Sequence, residues 1–207
     1  DRLTVRVHYN TAVRGENELR TNRPFSLAFQ RILGGSVLNY GQFRNPGETR
    51  NSFQTPHALI IYHDSDAFLG IVNQLAGWKR DKGFQVTLTT NAGMSNMITI
   101  QNYIQNAYNT WENRPDYVFI IGHFSQIPTS TVESRLGDHP YSLLEGGDVL
   151  PDVIVGRLAV SSQNELATVW NKIRNYEKEP YLGDTNWYNH SVLIGDRYAS
   201  SLNIGKY

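Results

Sequence analysis

The chain has 207 residues, with 19 Lys+Arg against 19 Asp+Glu and a formal charge of zero. Its 40% hydrophobic and 12% aromatic content is enough to bury a real core, which excludes a disordered tail. The longest basic run is Lys79-Arg80, too little for a phosphate-tracking or polybasic membrane-surface role, and no apolar stretch approaches the ~20 residues of a membrane span.

In chain order, Leu3-Thr4-Val5-Arg6-Val7-His8-Tyr9 alternates apolar and polar positions, the pattern of a strand with one buried face. Residues 10–23 are polar and contain Gly15, which predicts a loop. Pro24-Phe25 opens a short segment, with Phe25, Leu27, Phe29 and Ile32 available for burial and Gly34-Gly35 as its expected stop. A Gly/Pro/Arg stretch over 41–56 then reads as a linker between two units.

From residue 58 the character changes. Ala58-Leu59-Ile60-Ile61-Tyr62 is a continuous apolar run, as expected of a strand buried on both faces. Phe68, Ile71, Val72, Leu75 and Trp78 have helical spacing over 67–82, and Gly83 suits the left-handed position that ends a helix. Strands follow at 84–88, 117–121 and 152–157, with helices over 98–111 and 163–176, and Ser191-Val192-Leu193-Ile194-Gly195 is a last strand. Alternating strands and helices predict an α/β fold with a mostly parallel sheet. Residues 122–151, rich in Gly, Pro and Asp, are long for a simple loop. They are either functional or contain a small hairpin.

Ligands of an open parallel sheet bind beyond the carboxyl ends of its strands. Four positions qualify: 62–66, 122–124, the loop holding Asp138-His139, and Gly195-Asp196-Arg197. His63-Asp64-Ser65-Asp66 is an active-site loop or, preferred here, the N-cap of the following helix. His123 suits acid–base work, although a lone histidine at a strand end is more often structural. Asp138, His139, Glu145, Asp148 and Asp152 form an acidic cluster of the kind that binds calcium; no EF-hand spacing is present, and a solvated loop is the plainer reading. Asp196 follows a buried strand, where a carboxylate can orient a histidine from another segment or cap a turn beside Arg197.

The sequence has no GxGxxG turn, P-loop, HExxH or GxSxG. It also has no cysteine, which removes disulfides, thiolate metal sites and a cysteine nucleophile within these residues. There is no signal peptide, and Asp1 is the start expected of a mature or trimmed product. Twelve Tyr and four Trp with 18% charged residues lean toward an exported protein.

Several segments resemble, in order and spacing, the gingipain family of secreted bacterial cysteine peptidases. Trp78-Lys79-Arg80-Asp81-Lys82-Gly83-Phe84-Gln85-Val86 looks like the family's W-K-x-x-K-G-hydrophobic-x-V stretch. Asp116 to Gly122 with Ile127-Pro128, Asp138-His139-Pro140-Tyr141, Leu150 to Arg157, and Lys172 to Glu177 before Trp187 agree as well. The resemblance covers about residues 58–196 and implies a caspase-like fold over 54–207, preceded by a β-rich lead segment over 1–53. It implies a Cys/His dyad supplied beyond Asp196, with Asp196 as the supporting acid, and calcium held around Asp138, Asp148 and Asp152. One departure is Gly122-His123, where members commonly have Gly-Asp.

The function expected from the resemblance is the N-terminal part of a secreted or cell-surface cysteine endopeptidase. Its partners would be protein or peptide substrates and the remaining catalytic segment of the same protein, with no nucleic acid and no membrane span. The alternatives are a catalytically inactive scaffold or binding module and a sortase-like processing peptidase of an outer-membrane secretion system.

Overall fold

The structure, a computed structural model, describes residues 26–38, 40, 53–132 and 135–191. The expected strand at 3–9 and the segment 192–197, with Leu193 and Asp196, lie outside these residues. The chain divides into two compact units, Asp1–Ala167 and Thr168–Tyr207.

In the first unit, β1 (His57–Tyr62), β2 (Gln85–Thr90), β3 (Tyr117–Ile121) and β6 (Ile154–Leu158) form a sheet in the order β2-β1-β3-β6. Every pairing in it is parallel. Parallel neighbours need long crossovers. Helices α2 (Asp66–Asp81) and α3 (Met97–Thr110) provide the first two.

All six positions of β1, the apolar run Ala58–Tyr62 and His57 before it, are buried, as a strand covered on both faces must be. Its odd-numbered residues Leu59 and Ile61 join Val118 and Ile120 of β3 in a core with Ile100, Ile104 and Ala107 of α3. Ala58 and Ile60 point the other way and are equally buried. On that face α2 packs against β2, burying Phe68, Ile71, Val72 and Leu75, and its Lys79 Nζ lies 6.0 Å from the Phe119 ring centre. Each such aliphatic side chain removed from water contributes ~1.5–3 kcal/mol, so this two-sided burial is the main source of stability.

Local chemistry sets the helix ends. Gly83, at φ +88°, ends α2 with its N–H on the Arg80 carbonyl and the Phe84 N–H on that of Lys79, a Schellman motif. Asn96 starts α3 with a capping box, its side chain accepting from the Thr99 N–H at 3.0 Å while the Thr99 hydroxyl accepts from the Asn96 N–H. The cap expected of His63-Asp64-Ser65-Asp66 is absent in that form: Ser65 is the N-cap residue of α2, yet no side chain makes the capping bond. The Asp64 N–H is instead drawn to Asn91.

The expected stop at Gly34-Gly35 is also corrected. Helix α1 (Leu27–Ser36) runs through both glycines, because the cost of about 1 kcal/mol for each is bearable in a last turn closed by the Val37 N–H on the Leu33 carbonyl. None of its residues is buried, and Ile32 is half exposed. The long segment 122–151 contains a hairpin, β4 (Ser130–Val132) against β5 (Arg135–Gly137), followed by a 3-10 turn at His139–Ser142. Helix α4 (Gln163–Glu177) follows β6. The second unit contains the latter part of α4 and a 3-10 turn at Asn186–Asn189, where Trp187 stacks on Tyr188 and donates its indole N–H to the Tyr181 carbonyl.

Ile120 is fully buried in the core between the sheet and α3. Ile120→Ala should destabilise the chain by about 2–5 kcal/mol, while Val149→Ala, at a side chain 74% exposed, should change stability by less than ~0.5 kcal/mol. Urea denaturation of the two variants checks the difference.

Candidate functional site

The carboxyl edge of the sheet is closed by side-chain amides. Asn91, just after β2, accepts from the Asp64 N–H at 2.8 Å and donates to the Gln126 carbonyl at 2.9 Å. Gln126 accepts from the His123 N–H at 3.2 Å and donates to the Ser161 carbonyl at 3.1 Å. The loops after all four strands are thereby linked in one belt. Neither Asn91 nor Gln126 stood out in the sequence, since isolated amides carry no motif.

Inside the belt, His63 donates its backbone N–H to the Ile121 carbonyl, and its ring stands edge-on to Phe68. Its Nδ1 is buried with no hydrogen-bond partner among the described residues. Gly122 leaves β3 at φ +155°, where a Cβ would come within 3.0 Å of Ile127 and 3.4 Å of the His63 Cβ. Glycine is required by that approach. His123 holds Ser125 at 2.8 Å between Nδ1 and Oγ, a local ring–hydroxyl pair on the surface.

Beside this edge lies Arg157 of β6. Its Nε and Nη2 grip the Asp138 carboxylate at 2.7 and 2.8 Å, and its Nη1 donates to the carbonyls of Gly122 and Ile127 at 2.9 and 3.0 Å. Thr129 adds a third donor to Asp138 at 2.7 Å, and the Tyr141 hydroxyl donates to the Pro128 carbonyl. Burial alone would raise the Asp138 pKa; the hydrogen bonds from Arg157 and Thr129 and the guanidinium charge outweigh it and hold the carboxyl below its ordinary value. Burial pushes the Tyr141 phenol up to about 12, which keeps it a hydrogen donor.

The acidic residues singled out from the sequence therefore separate. Asp138 belongs to Arg157, Asp152 accepts from the backbone N–H groups of Leu144 and Glu145 at 2.8 Å each, and Asp148 accepts from Leu150 N–H. Glu145 receives the Tyr108 hydroxyl at 3.1 Å, and His139 lies over Ser142. Among the described residues no group of three or more His, Asp or Glu gathers at one point.

At the opposite, amino edge, His57 is fully buried and stacked on Trp111 at 5.4 Å. Its Nδ1 lies 2.6 Å from the Asn113 carbonyl, so that nitrogen carries the proton, and Nε2 accepts from the Thr87 hydroxyl at 2.9 Å. Burial pulls the His57 pKa down, more than the Asn113 carbonyl and the Asp116 charge raise it.

A parallel sheet with helical crossovers and loops gathered at its carboxyl edge is the caspase-like α/β arrangement. The fold agrees with the gingipain structures, one a crystal structure of the Arg-specific cysteine proteinase gingipain R (RgpB), with a TM-score of 0.54 at 20% identity over 65% of this chain and 31% of that one. Another is the complex of Porphyromonas gingivalis RgpB pro- and mature domains, with a TM-score of 0.52 at 21% identity over 57% of this chain and 29% of that one. The family model of Peptidase family C25 matches residues 51–205. The chain belongs to that family and is a cysteine-peptidase-related protein. It is 22% identical to gingipain R1 of P. gingivalis over 93% of its own length, and 23% identical to gingipain R2 of the same species over 89%. It spans only 19% of the first and 25% of the second.

Two variants test the ion pair. Asp138→Asn should cost about 3–5 kcal/mol by leaving the Arg157 guanidinium buried without its counter-charge, whereas the double variant Asp138→Asn/Arg157→Met should recover part of that loss. In the parent, the stability due to Asp138 is present above its unfolded pKa near 4 and is lost as pH falls through the lower folded value. His57 acts in a separate window. The unfolded chain takes up a proton near pH 6.5 that the folded chain refuses, so stability should be full above about pH 7 and fall as pH drops through 6.5. Denaturant midpoints at pH 5 and 8 should differ less in His57→Gln than in the parent.

Proposed function

We propose that this chain is the amino-terminal part of a secreted or cell-surface bacterial cysteine endopeptidase, acting on protein or peptide substrates. The observation that carries the reading is the family match over residues 51–205, combined with a caspase-like sheet and no cysteine among 207 residues. The nucleophile and its histidine would then come from a further segment of the same protein. There, a thiolate attacks the peptide carbonyl and the histidine takes up and returns the proton. Asp196, after the apolar run 191–195, would orient that imidazole and stabilise its protonated form.

A second reading, an inactive scaffold or binding module, draws on one observation. The carboxyl-edge amides and Asp138 are committed to bonds that hold the loops together, as a purely structural sheet requires.

Activity measurements separate the two. The pure 207-residue chain should cleave no peptide in a thiol-inhibitor-sensitive manner. The full-length protein should cleave, and Asp196→Asn should lower its kcat/KM by roughly tenfold or more at unchanged melting temperature. Full-length protein without thiol-dependent cleavage assigns the scaffold role, and an Asp196→Asn variant with parental turnover removes Asp196 from the mechanism.

A further inference from the structure

Two histidines stand at the carboxyl ends of neighbouring strands. Tyr62 and Ile121 are the last paired residues of β1 and β3; His63 directly follows the first, and His123 follows the second after Gly122. We propose that both histidines present Nε2–H donors that hold main-chain carbonyls of a bound peptide. The inference rests on the peptidase reading and deepens it, by naming groups of this chain that touch the substrate.

The hydrogen bonds fix the protons. His123 Nδ1 accepts from Ser125 twice, from the hydroxyl at 2.8 Å and from the backbone N–H at 3.3 Å. A backbone N–H can only donate, so Nδ1 is bare and the proton of the neutral ring lies on Nε2. His63 reaches the same tautomer by another route. Its Nδ1 is buried and unpaired among the described residues, and a proton there would be a donor with nothing to receive it. Both histidines are half buried. In His63, whose Nδ1 is enclosed, Nε2 is the nitrogen left to the exposed side of the ring. Each ring is held in place, His63 edge-on to Phe68 at 5.7 Å and His123 against Phe124 at 3.9 Å.

A purely structural role accounts poorly for these rings. The glycine at 122 leaves room beside His63, yet an apolar ring would fill that room without an unpaired nitrogen. The loops are joined by the amides of Asn91 and Gln126, and neither imidazole takes part in that belt. Asp64, exposed and next in the chain to His63, adds a carboxylate acceptor to the same edge. Two donors and an acceptor on one edge match a peptide main chain, which offers carbonyls and N–H groups together. A free anion would meet Asp64, and an organic cation would meet two N–H groups.

The test is nitrogen NMR of the isotope-labelled full-length protein, which should show both rings as the Nε2–H tautomer. Nα-acetyl-tetraalanine amide, which carries main-chain carbonyls and no charge, should shift both Nε2 resonances saturably, and acetate should not. His63→Phe and His123→Phe should each weaken that binding about tenfold and raise KM for a cleaved peptide by a similar factor, with kcat within about twofold. The melting temperature of His63→Phe should equal or exceed the parent's, because an unpaired buried nitrogen is removed. His63→Gln, which restores an N–H donor, should recover part of the binding. Rings protonated at Nδ1, resonances that ignore the peptide or answer acetate equally, or a lowered melting temperature with unchanged binding would each overturn the proposal. Full-length protein that binds the peptide through both rings and cleaves nothing would remove the peptidase reading and leave the peptide contact standing.

Discussion

The bidentate pair between Arg157 and Asp138 organises the part of the sheet on which the loops depend. Arg157 sits in a parallel strand, on the face that also buries Val118 and Ile120. A guanidinium there is tolerable only when its donors are met, and it meets them by collecting the chain around it. Two of its nitrogens take Asp138, and a third takes the carbonyls at Gly122 and Ile127. The start of the long insertion, the end of the hairpin and the strand are held by one side chain. The planar fork of arginine suits this task, whereas a lysine ammonium cannot grip a carboxylate in parallel bonds and reach two carbonyls at once.

The two ends of the sheet use different solutions to the same need. At the carboxyl end the loops are joined by neutral amides, which donate and accept at once and can therefore run in series from Asp64 to Ser161. At the amino end the buried carboxylate of Asp116 accepts from the His57 backbone N–H and from the Gln54 side chain at 2.8 Å, anchoring the chain as it enters β1. An ionised acceptor makes stronger bonds but needs more donors, and the strand start offers backbone N–H groups that have no ladder partner. Function in this family member is thus built on a sheet whose ends are secured before any catalytic group is considered.

Much of this architecture was legible in the residues. The apolar runs at 58–62 and 117–121 could be buried only as central strands, and the spacing of Phe68, Ile71, Val72 and Leu75 admitted only a helix ended by Gly83. The length of 122–151 left open a functional loop or a small hairpin, and the segment does contain a hairpin. The functional residues were less so. Asp138, Asp148 and Asp152 share an acidic stretch, and nearness in sequence suggested a shared ligand, yet each carboxylate found a different donor once the loop closed. Arg157 did offer a signal, a charged residue inside a predicted strand of a mostly parallel sheet, a setting in which a charge demands a partner.

What the sequence by itself determined is the order of strands and helices, the burial of β1 and the family, because these follow from hydrophobic period, helix-ending glycine and motifs kept in register along the chain. Only the tertiary structure decided who pairs with whom. Asn91 meets Gln126 across 35 positions, Arg157 meets Asp138 across 19, and His57 meets Asn113 across 56. Hydrogen bonds and ion pairs act over a few ångströms of space and are indifferent to sequence distance, so the fold had to bring the groups together before their chemistry could be read.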